Sequence, residues 1–155
     1  MNDVDRIVED CADPLFETAL QVSQHLLDVT ADAYMNHDFE AWAKRFALPS
    51  ILETFDNTRT IASVEDLRGI FDGMQRHFQN FGIIGLKRKA IEAQFVSETE
   101  VVTTFVSQHV MRNLQLTDQI AAHGTLRRTD GLWQVTAHQY ATNNTSITRA
   151  LAGRR

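Results

Sequence analysis

The clearest pattern of hydrophobic and polar positions lies in the last third of the chain. Two strand-length segments rich in β-branched and aromatic residues, Asp118–Arg128 and Leu132–Thr142, flank the turn Thr129-Asp130-Gly131. An Asp-Gly pair between two such runs is typical of a β-hairpin, because the turn needs residues that tolerate positive φ. The pattern therefore predicts one long hairpin, which constrains the architecture of the chain more than its chemistry.

Two helices are predicted near the start of the chain. Asp13-Pro14 should open the first, because Asp can cap free N–H groups and Pro tolerates the first helical position, and this helix should run to about Asn36. Asp38 can cap a second, short helix, and Pro49 should end the helical run soon after it. The apolar residues of this short helix are Phe39, Trp42 and Phe46.

A third helix has the strongest pattern of the three. Ser63-Val64-Glu65-Asp66 matches a variant of the capping box, and Gly82 is a natural helix end. Between them, apolar residues recur at spacings of three and four. These residues are Leu67, Ile70, Phe71, Met74, Phe78 and Phe81. The third helix should therefore bury one continuous apolar face.

The remaining segments predict strands. Ser50–Phe55 and Thr58–Ala62 favour a short hairpin, and Gly85–Val96 and Thr99–Met111 favour two long antiparallel strands. The last of these has apolar residues on both faces: Val101, Phe105 and Met111 on one, and Val102, Val106 and Val110 on the other. One face should meet the helices. The other should be covered by a second copy of the chain, which predicts a homodimer formed through the outer face of the sheet.

Composition restricts the class of protein. The 155 residues suit one domain, which we expect at 13–142, between an N-terminal segment at 1–12 and a polar tail at 143–155. Cys11 is the only cysteine, so an intrachain disulfide is impossible. The net charge of −5 disfavours nucleic acid as a partner. The acidic start and the lack of a long apolar run favour a cytoplasmic protein that is not bound to a membrane.

The order of these elements resembles the nuclear transport factor 2-like superfamily over about Leu15 to Thr142. The matching motifs are Tyr34-Met35-Asn36-His37-Asp38 with Trp42 and Phe46, then Ser63-Val64-Glu65-Asp66-Leu67 and Asp130-Gly131-Leu132-Trp133-Gln134-Val135. The resemblance implies an α+β fold in which three helices pack in the concave face of a strongly curved, mostly antiparallel sheet, forming a cone. Phe46-Ala47-Leu48-Pro49 and Tyr140-Ala141-Thr142-Asn143 are similar to a bacterial SnoaL-like subgroup with no established reaction.

The same resemblance allows a comparison with the catalytic residues of characterised members of the superfamily. Ketosteroid isomerases need a tyrosine on the first helix, a carboxylate base on the first strand and an acid on the third long strand. Alignment on Asp38 and Phe46 places Ala31 and Thr54 at the first two positions, and His123 or Gly124 near the third. Steroid isomerisation of that kind is therefore not expected. Related cyclases and dehydratases use a pocket acid or histidine with polar partners.

The possible equivalents in this chain are His109, His123, His138, Tyr34 and Tyr140. The resemblance points His138 and Tyr140 into the cone, and Trp133 and Val135, which have the opposite parity, onto its outer face. The pair is either a structural hydrogen-bonded pair, which is the commoner case, or a catalytic acid–base pair. Lys87-Arg88-Lys89 is interpreted as a solvated strand edge.

Aromatic residues on the helices suit either a core or a ligand pocket, and a cone accommodates both. The predicted ligand-binding residues are Tyr34, Trp42, Phe46, Phe71, His109 and His123. No cysteine–histidine spacing of the zinc kind occurs, so neither a metal nor a cofactor is expected. Two functions remain open. One is acid–base chemistry of the cyclase, isomerase or dehydratase type on a small apolar or aromatic metabolite. The other is a non-catalytic binding or dimeric assembly module.

Overall fold

A computed structural model of the protein describes residues 12–142. Within this range the three helices are α1 (Ala19–Met35), α2 (Phe39–Ala43) and α3 (Val64–Phe81). The six strands of the same range are β1 (Phe46–Thr54), β2 (Asn57–Ile61), β3 (Ile83–Ser97), β4 (Glu100–Met111), β5 (Ile120–Thr129) and β6 (Leu132–Tyr140). Cys11, the N-terminal acidic segment and the predicted polar tail lie outside the described residues.

All six strands form one curved sheet in the order β2-β1-β6-β5-β4-β3. Every neighbouring pair is antiparallel except β1 and β6, which run parallel. α1 packs against β3 and β4, and α1 and α3 each contact α2. The predicted fold class, three helices in the concave face of a mostly antiparallel sheet, is confirmed. Nowhere in residues 12–142 is a helix both long and apolar enough to cross a membrane.

Side-chain caps set most helix ends. Ser63 and Asp38 each accept a backbone N–H of the helix that follows, as predicted, and Gly82 ends α3 with φ of +64°. The predicted start of the first helix at Asp13-Pro14 was wrong, because Thr18 is the residue that caps α1. Asp13 instead accepts the backbone N–H of Trp133 at 2.8 Å. It thereby ties the start of the described chain to β6.

The first strand begins earlier than predicted. Phe46 belongs to β1 rather than to the second helix, and Pro49 lies inside that strand. The ring of Phe46 still packs on Trp42, with 4.5 Å between ring centroids. α2 therefore ends at Ala43, three residues before Phe46, the last residue of its aromatic pattern, while the contact between the two rings is kept.

A bulge in β6 changes which side chains face the helices. Leu126 of β5 pairs with Val135, but the preceding Thr125 pairs with Ala137, so Thr136 is an extra residue in the ladder. The predicted parity was wrong for this reason. Trp133, only 2% exposed, and Val135 point into the cone before the bulge. His138 lines the interior after it.

Candidate functional site

The interior of the cone contains a cavity of about 80 Å³. α1, α3 and the sheet enclose it, and most of its lining is apolar. The polar side chains that reach it include Tyr34, Arg88, Ser107, His109, His138 and Tyr140. No carboxylate lines the cavity in the described part of the chain. Its chemistry is therefore that of one guanidinium, two imidazoles and several hydroxyl groups in an apolar surround.

His138 and Tyr140 form the polar pair predicted from the sequence. They are two positions apart on β6, so both side chains face the cavity, and His138 Nδ1 lies 3.4 Å from Tyr140 Oη. Their rings meet edge to face at 84°, with 5.7 Å between centroids. The ring of Phe105 packs against both. The pair is thus held in place by apolar contacts on β4.

Both members of this pair are neutral near pH 7. Burial, and secondarily the nearby Arg88 charge, lowers the pKa of His138 to about 3. Burial raises the pKa of Tyr140, against a smaller opposing effect of Arg88. A neutral imidazole carries one N–H donor and one acceptor nitrogen, and a phenol can serve as either. The pair can therefore give and accept hydrogen bonds simultaneously without a buried charge of its own.

An aromatic wall borders the cavity on the side of the helices. Tyr34, Trp42 and Phe46 line it as predicted. Phe71 does not line it: this side chain is stacked behind Tyr34, with 5.5 Å between ring centroids. Burial raises the pKa of Tyr34, so that its hydroxyl is also neutral. Phe71 therefore supports the wall from behind rather than contacting the cavity.

The two other predicted histidines lie on opposite faces of the sheet. His109 lines the cavity, where burial first, then His77 and Arg88, lower its pKa to about 4. His123 is exposed on the outer face, and its Nδ1 lies 2.9 Å from Thr104 Oγ1. Its predicted place in the pocket was wrong because side chains alternate along β5. That alternation sends Gly124, and not His123, towards His138.

Arg88 is the functional side chain that the sequence interpretation missed. Lys87 and Lys89 are exposed, but Arg88 lies between them on the opposite face of β3 and lines the cavity. Its Nη2 donates to the carbonyl of Leu27 at 2.7 Å and to Thr30 Oγ1. The predicted solvated edge was therefore wrong at its middle residue. The apolar residues two positions away on either side, Leu86 and Ala90, were the signal that this position faces inward.

Comparison with known proteins locates the fold but not the activity. The sequence matches no protein-family model, and no curated protein matches it either. A domain of unknown function from Nostoc punctiforme with a cystatin-like fold superposes with a TM-score of 0.64 at 13% identity, covering 84% of this chain and 81% of that one. An NTF-2 like protein of unknown function from Shewanella oneidensis gives 0.60 at 12% identity, covering 76% and 93%. The chain has the NTF2-like, cystatin-like fold.

Another solved structure that is similar to this chain is named for a reaction. A candidate scytalone dehydratase from Novosphingobium aromaticivorans superposes with a TM-score of 0.53 at 15% identity, covering 79% of this chain and 83% of that one. Identities this low show a shared NTF2-like fold and no shared activity. The function of this chain has to be argued from its own cavity.

Within this NTF2-like cone, the structure places six of the eight predicted site residues at the cavity. Of the eight predicted residues, Tyr34, Trp42, Phe46, His109, His138 and Tyr140 line the cavity, and Phe71 and His123 do not. Neither Ala31 nor Thr54, the positions aligned with ketosteroid isomerase machinery, lines it. In the described residues, no group of three or more His, Cys, Asp or Glu side chains is arranged to hold a metal ion.

Proposed function

We propose that this protein binds a small, apolar or aromatic molecule inside the cone, where His138 and Tyr140 carry out acid–base chemistry on it. The observation that carries the proposal is the 3.4 Å separation of His138 Nδ1 and Tyr140 Oη within an otherwise largely apolar cavity. A reaction of the isomerase, dehydratase or cyclase type needs one group to remove a proton and another to deliver one. The neutral pair supplies both kinds of atom.

The tautomer of His138 decides which atom of the pair donates. If the Tyr140 hydroxyl donates to His138 Nδ1, the imidazole carries its proton on Nε2 and can donate a hydrogen bond to a ligand oxygen. In the other tautomer, His138 Nδ1–H donates to Tyr140 Oη, and the free Nε2 can accept a proton from the ligand. The low pKa of His138, about 3, makes it a poor proton store in the empty cavity. We therefore assign it the role of a neutral donor and acceptor that works together with Tyr140.

The volume of the cavity limits the size of the ligand. A cavity of about 80 Å³ is smaller than the roughly 150 Å³ apolar cavity that accommodates benzene. The cavity as it stands is therefore too small for a six-membered ring, and a ring-sized ligand enters only when lining side chains move. The aromatic wall of Tyr34, Trp42 and Phe46 suits a flat apolar body.

Binding and proton transfer can be measured together. Small cyclic ketones, enols and aromatic alcohols would be screened by ligand-observed NMR, and each binder would then be incubated with the protein in D₂O. We expect the wild type to catalyse exchange of carbon-bound hydrogen next to the carbonyl for deuterium in at least one ketone that binds, and His138→Gln to reduce this rate by about 10²–10⁴-fold. His123→Gln, on the outer face, is the matched control and should keep the wild-type rate. Binders without any exchange would contradict the acid–base role.

A second function, assembly through the outer sheet face, has its own supporting observation. Val102, Val106 and Val110 recur at every fourth position on the outer face of β4, with Thr104 and Gln108 between them, and Val102 is 39% exposed. We call these three residues the valine stripe. We propose that a second copy of the chain covers it, forming a homodimer. If no small molecule binds the cone and the valine stripe mediates a dimer, the assembly module is the better description.

A further inference from the structure

Among residues 12–142, Arg45 and Arg88 both enter the interior of the fold, and their electrostatic environments differ. Arg45 is 6% exposed, and its Nη1 donates to Asp13 Oδ2 at 2.8 Å in an ion pair. Arg88 is half-buried and lines the cavity, and no carboxylate among residues 12–142 lies within ion-pair distance of it. A cation removed from water without a counter-ion is costly, so unpaired buried charges are uncommon in native proteins.

The side chains that share the cavity with Arg88 do not supply a compensating charge. Its electrostatic neighbours in the cavity are Tyr34 and Tyr140, both neutral, and the neutral His138 and His109. The carboxylate that acts on it, Asp28, is exposed on α1 and accepts the side-chain amide of Gln24 at 2.9 Å. The positive charge of Arg88 thus borders an apolar cavity. Its Nη2 donates to two neutral acceptors on α1, the Leu27 carbonyl and Thr30 Oγ1.

Part of the donor capacity of Arg88 is also unused. A guanidinium has five N–H donors, and the two hydrogen bonds to α1 both come from Nη2. The Nε atom is buried without a hydrogen-bond partner. The Nε of Arg45 is buried without a partner as well, so this atom does not distinguish the two residues. The distinguishing feature is the carboxylate that Arg45 has and Arg88 lacks.

We propose that the ligand of the cone is a small apolar carboxylate, whose charged group binds Arg88 while its apolar body lies against the aromatic wall. The inference rests on the proposed function, since it names the chemical class of the molecule in that same cavity. An arginine recognises a carboxylate well because a planar guanidinium matches its two oxygens. The ligand carboxylate would supply the negative charge that pairs with Arg88, and the ligand would lie beside His138 and Tyr140.

The probes are benzoate and benzamide, which share size and shape but differ in charge. Binding of each would be measured by NMR titration of ¹⁵N-labelled protein, including the side-chain Nε–H signal of Arg88. We expect benzoate to bind wild type at least about tenfold more tightly than benzamide and to shift the Arg88 signal. Arg88→Met should remove the preference. Lys87→Met changes the net charge equally on the outer face of β3 and should keep it.

The possible outcomes separate this inference from the proposed function. Equal binding of the two probes in the cavity would overturn the carboxylate inference and leave the cone as a binding site. A benzoate preference that persists in Arg88→Met would overturn the role of Arg88. Failure of benzoate and benzamide, and of the smaller pair propionate and propionamide, to bind in the cavity would overturn both proposals. If Arg88→Met does not fold, the comparison of the two probes on wild type, with the Arg88 signal, still decides the matter.

Discussion

Gly124 lies directly opposite His138 in the ladder between β5 and β6. A Cβ atom built on Gly124 would be 3.1 Å from His138 Cδ2 and 3.3 Å from Thr103 Cγ2. The absence of a side chain at this position therefore makes room for the imidazole inside the cone. Because Gly124 belongs to β5, the position of the His138 ring depends on β5 as well as on its own strand, β6.

Gly124→Ala should consequently disturb the site. We expect a loss of about 1–3 kcal/mol in the free energy of unfolding, because the added methyl group overpacks a filled region. Chemical denaturation measures the loss, and the His138 ring signals report the displacement. Gly69→Ala in α3 is the control, because its Cβ would meet nothing within 4 Å, and it should stabilise the protein by about 0.5–1 kcal/mol. Equal effects of both changes would contradict the crowding at Gly124.

Stability should depend on pH through the buried histidines. An unfolded histidine titrates near 6.5, whereas the pKa of folded His138 is about 3 and that of His109 about 4. Between these values the unfolded chain binds protons that the folded protein does not. Stability is therefore complete above about pH 6.5 and falls as the pH drops towards the folded values. Each histidine contributes at most about 1.4 kcal/mol per pH unit.

Urea denaturation at a series of pH values checks this dependence. The slope of unfolding free energy against pH should be shallower in His138→Gln than in wild type, since one depressed histidine is gone. Gln94→Ala, at an exposed position of β3, removes no titratable group, so this control should follow the wild-type slope. A wild-type stability that is flat between about pH 6.5 and pH 4 would show that neither buried histidine is held neutral.

Trp133→Ala should destabilise the monomer itself. The indole packs inside the cone with Val22, Leu126 and Val135, so its removal should cost about 3–5 kcal/mol. The measurement is the denaturation midpoint at concentrations where association is constant. An unchanged midpoint would place Trp133 outside the core and contradict the bulge in β6.

The elements of the fold were more predictable than the faces of its strands. The caps at Asp38 and Ser63, the end at Gly82 and the turn at Asp130-Gly131 are local features, so the sequence alone located them. Strand faces depend on pairing. A single extra residue at Thr136 reverses the alternation, and nothing in the sequence around it marks the bulge.

The candidate site was also predictable only as far as the faces of its strands could be predicted. His138 and Tyr140 were correctly placed inside the cone, but the accompanying assignment of Trp133 to the outer face required an unbroken strand. Arg88 was misinterpreted because a run of three basic residues is usually solvated, and a charge is rarely directed into an apolar cavity without a partner. Which face of β3 carries the guanidinium depends on the packing of α1 against that strand, through Leu27 and Thr30.

The proposed homodimer predicts a defined mass in solution. Light scattering should give twice the chain mass of 17.6 kDa at micromolar concentration. Val106→Glu, in the middle of the valine stripe, should shift the protein towards the monomer, because a charge buried in an apolar interface is costly. Leu114→Glu, at an exposed position between β4 and β5, is the control. A wild-type protein of single chain mass would refute the dimer.

The central claim, that the interior of the cone is the working site, is tested most directly by the imidazole signals of His138 and His123. These residues lie on neighbouring strands, the first inside the cone and the second on its outer face. In a titration with benzoate, followed in histidine-labelled protein by NMR, we predict that the His138 ring signals shift saturably while those of His123 stay constant. Shifts at His123 with His138 unmoved would contradict the claim and assign the activity to the outer face of the sheet.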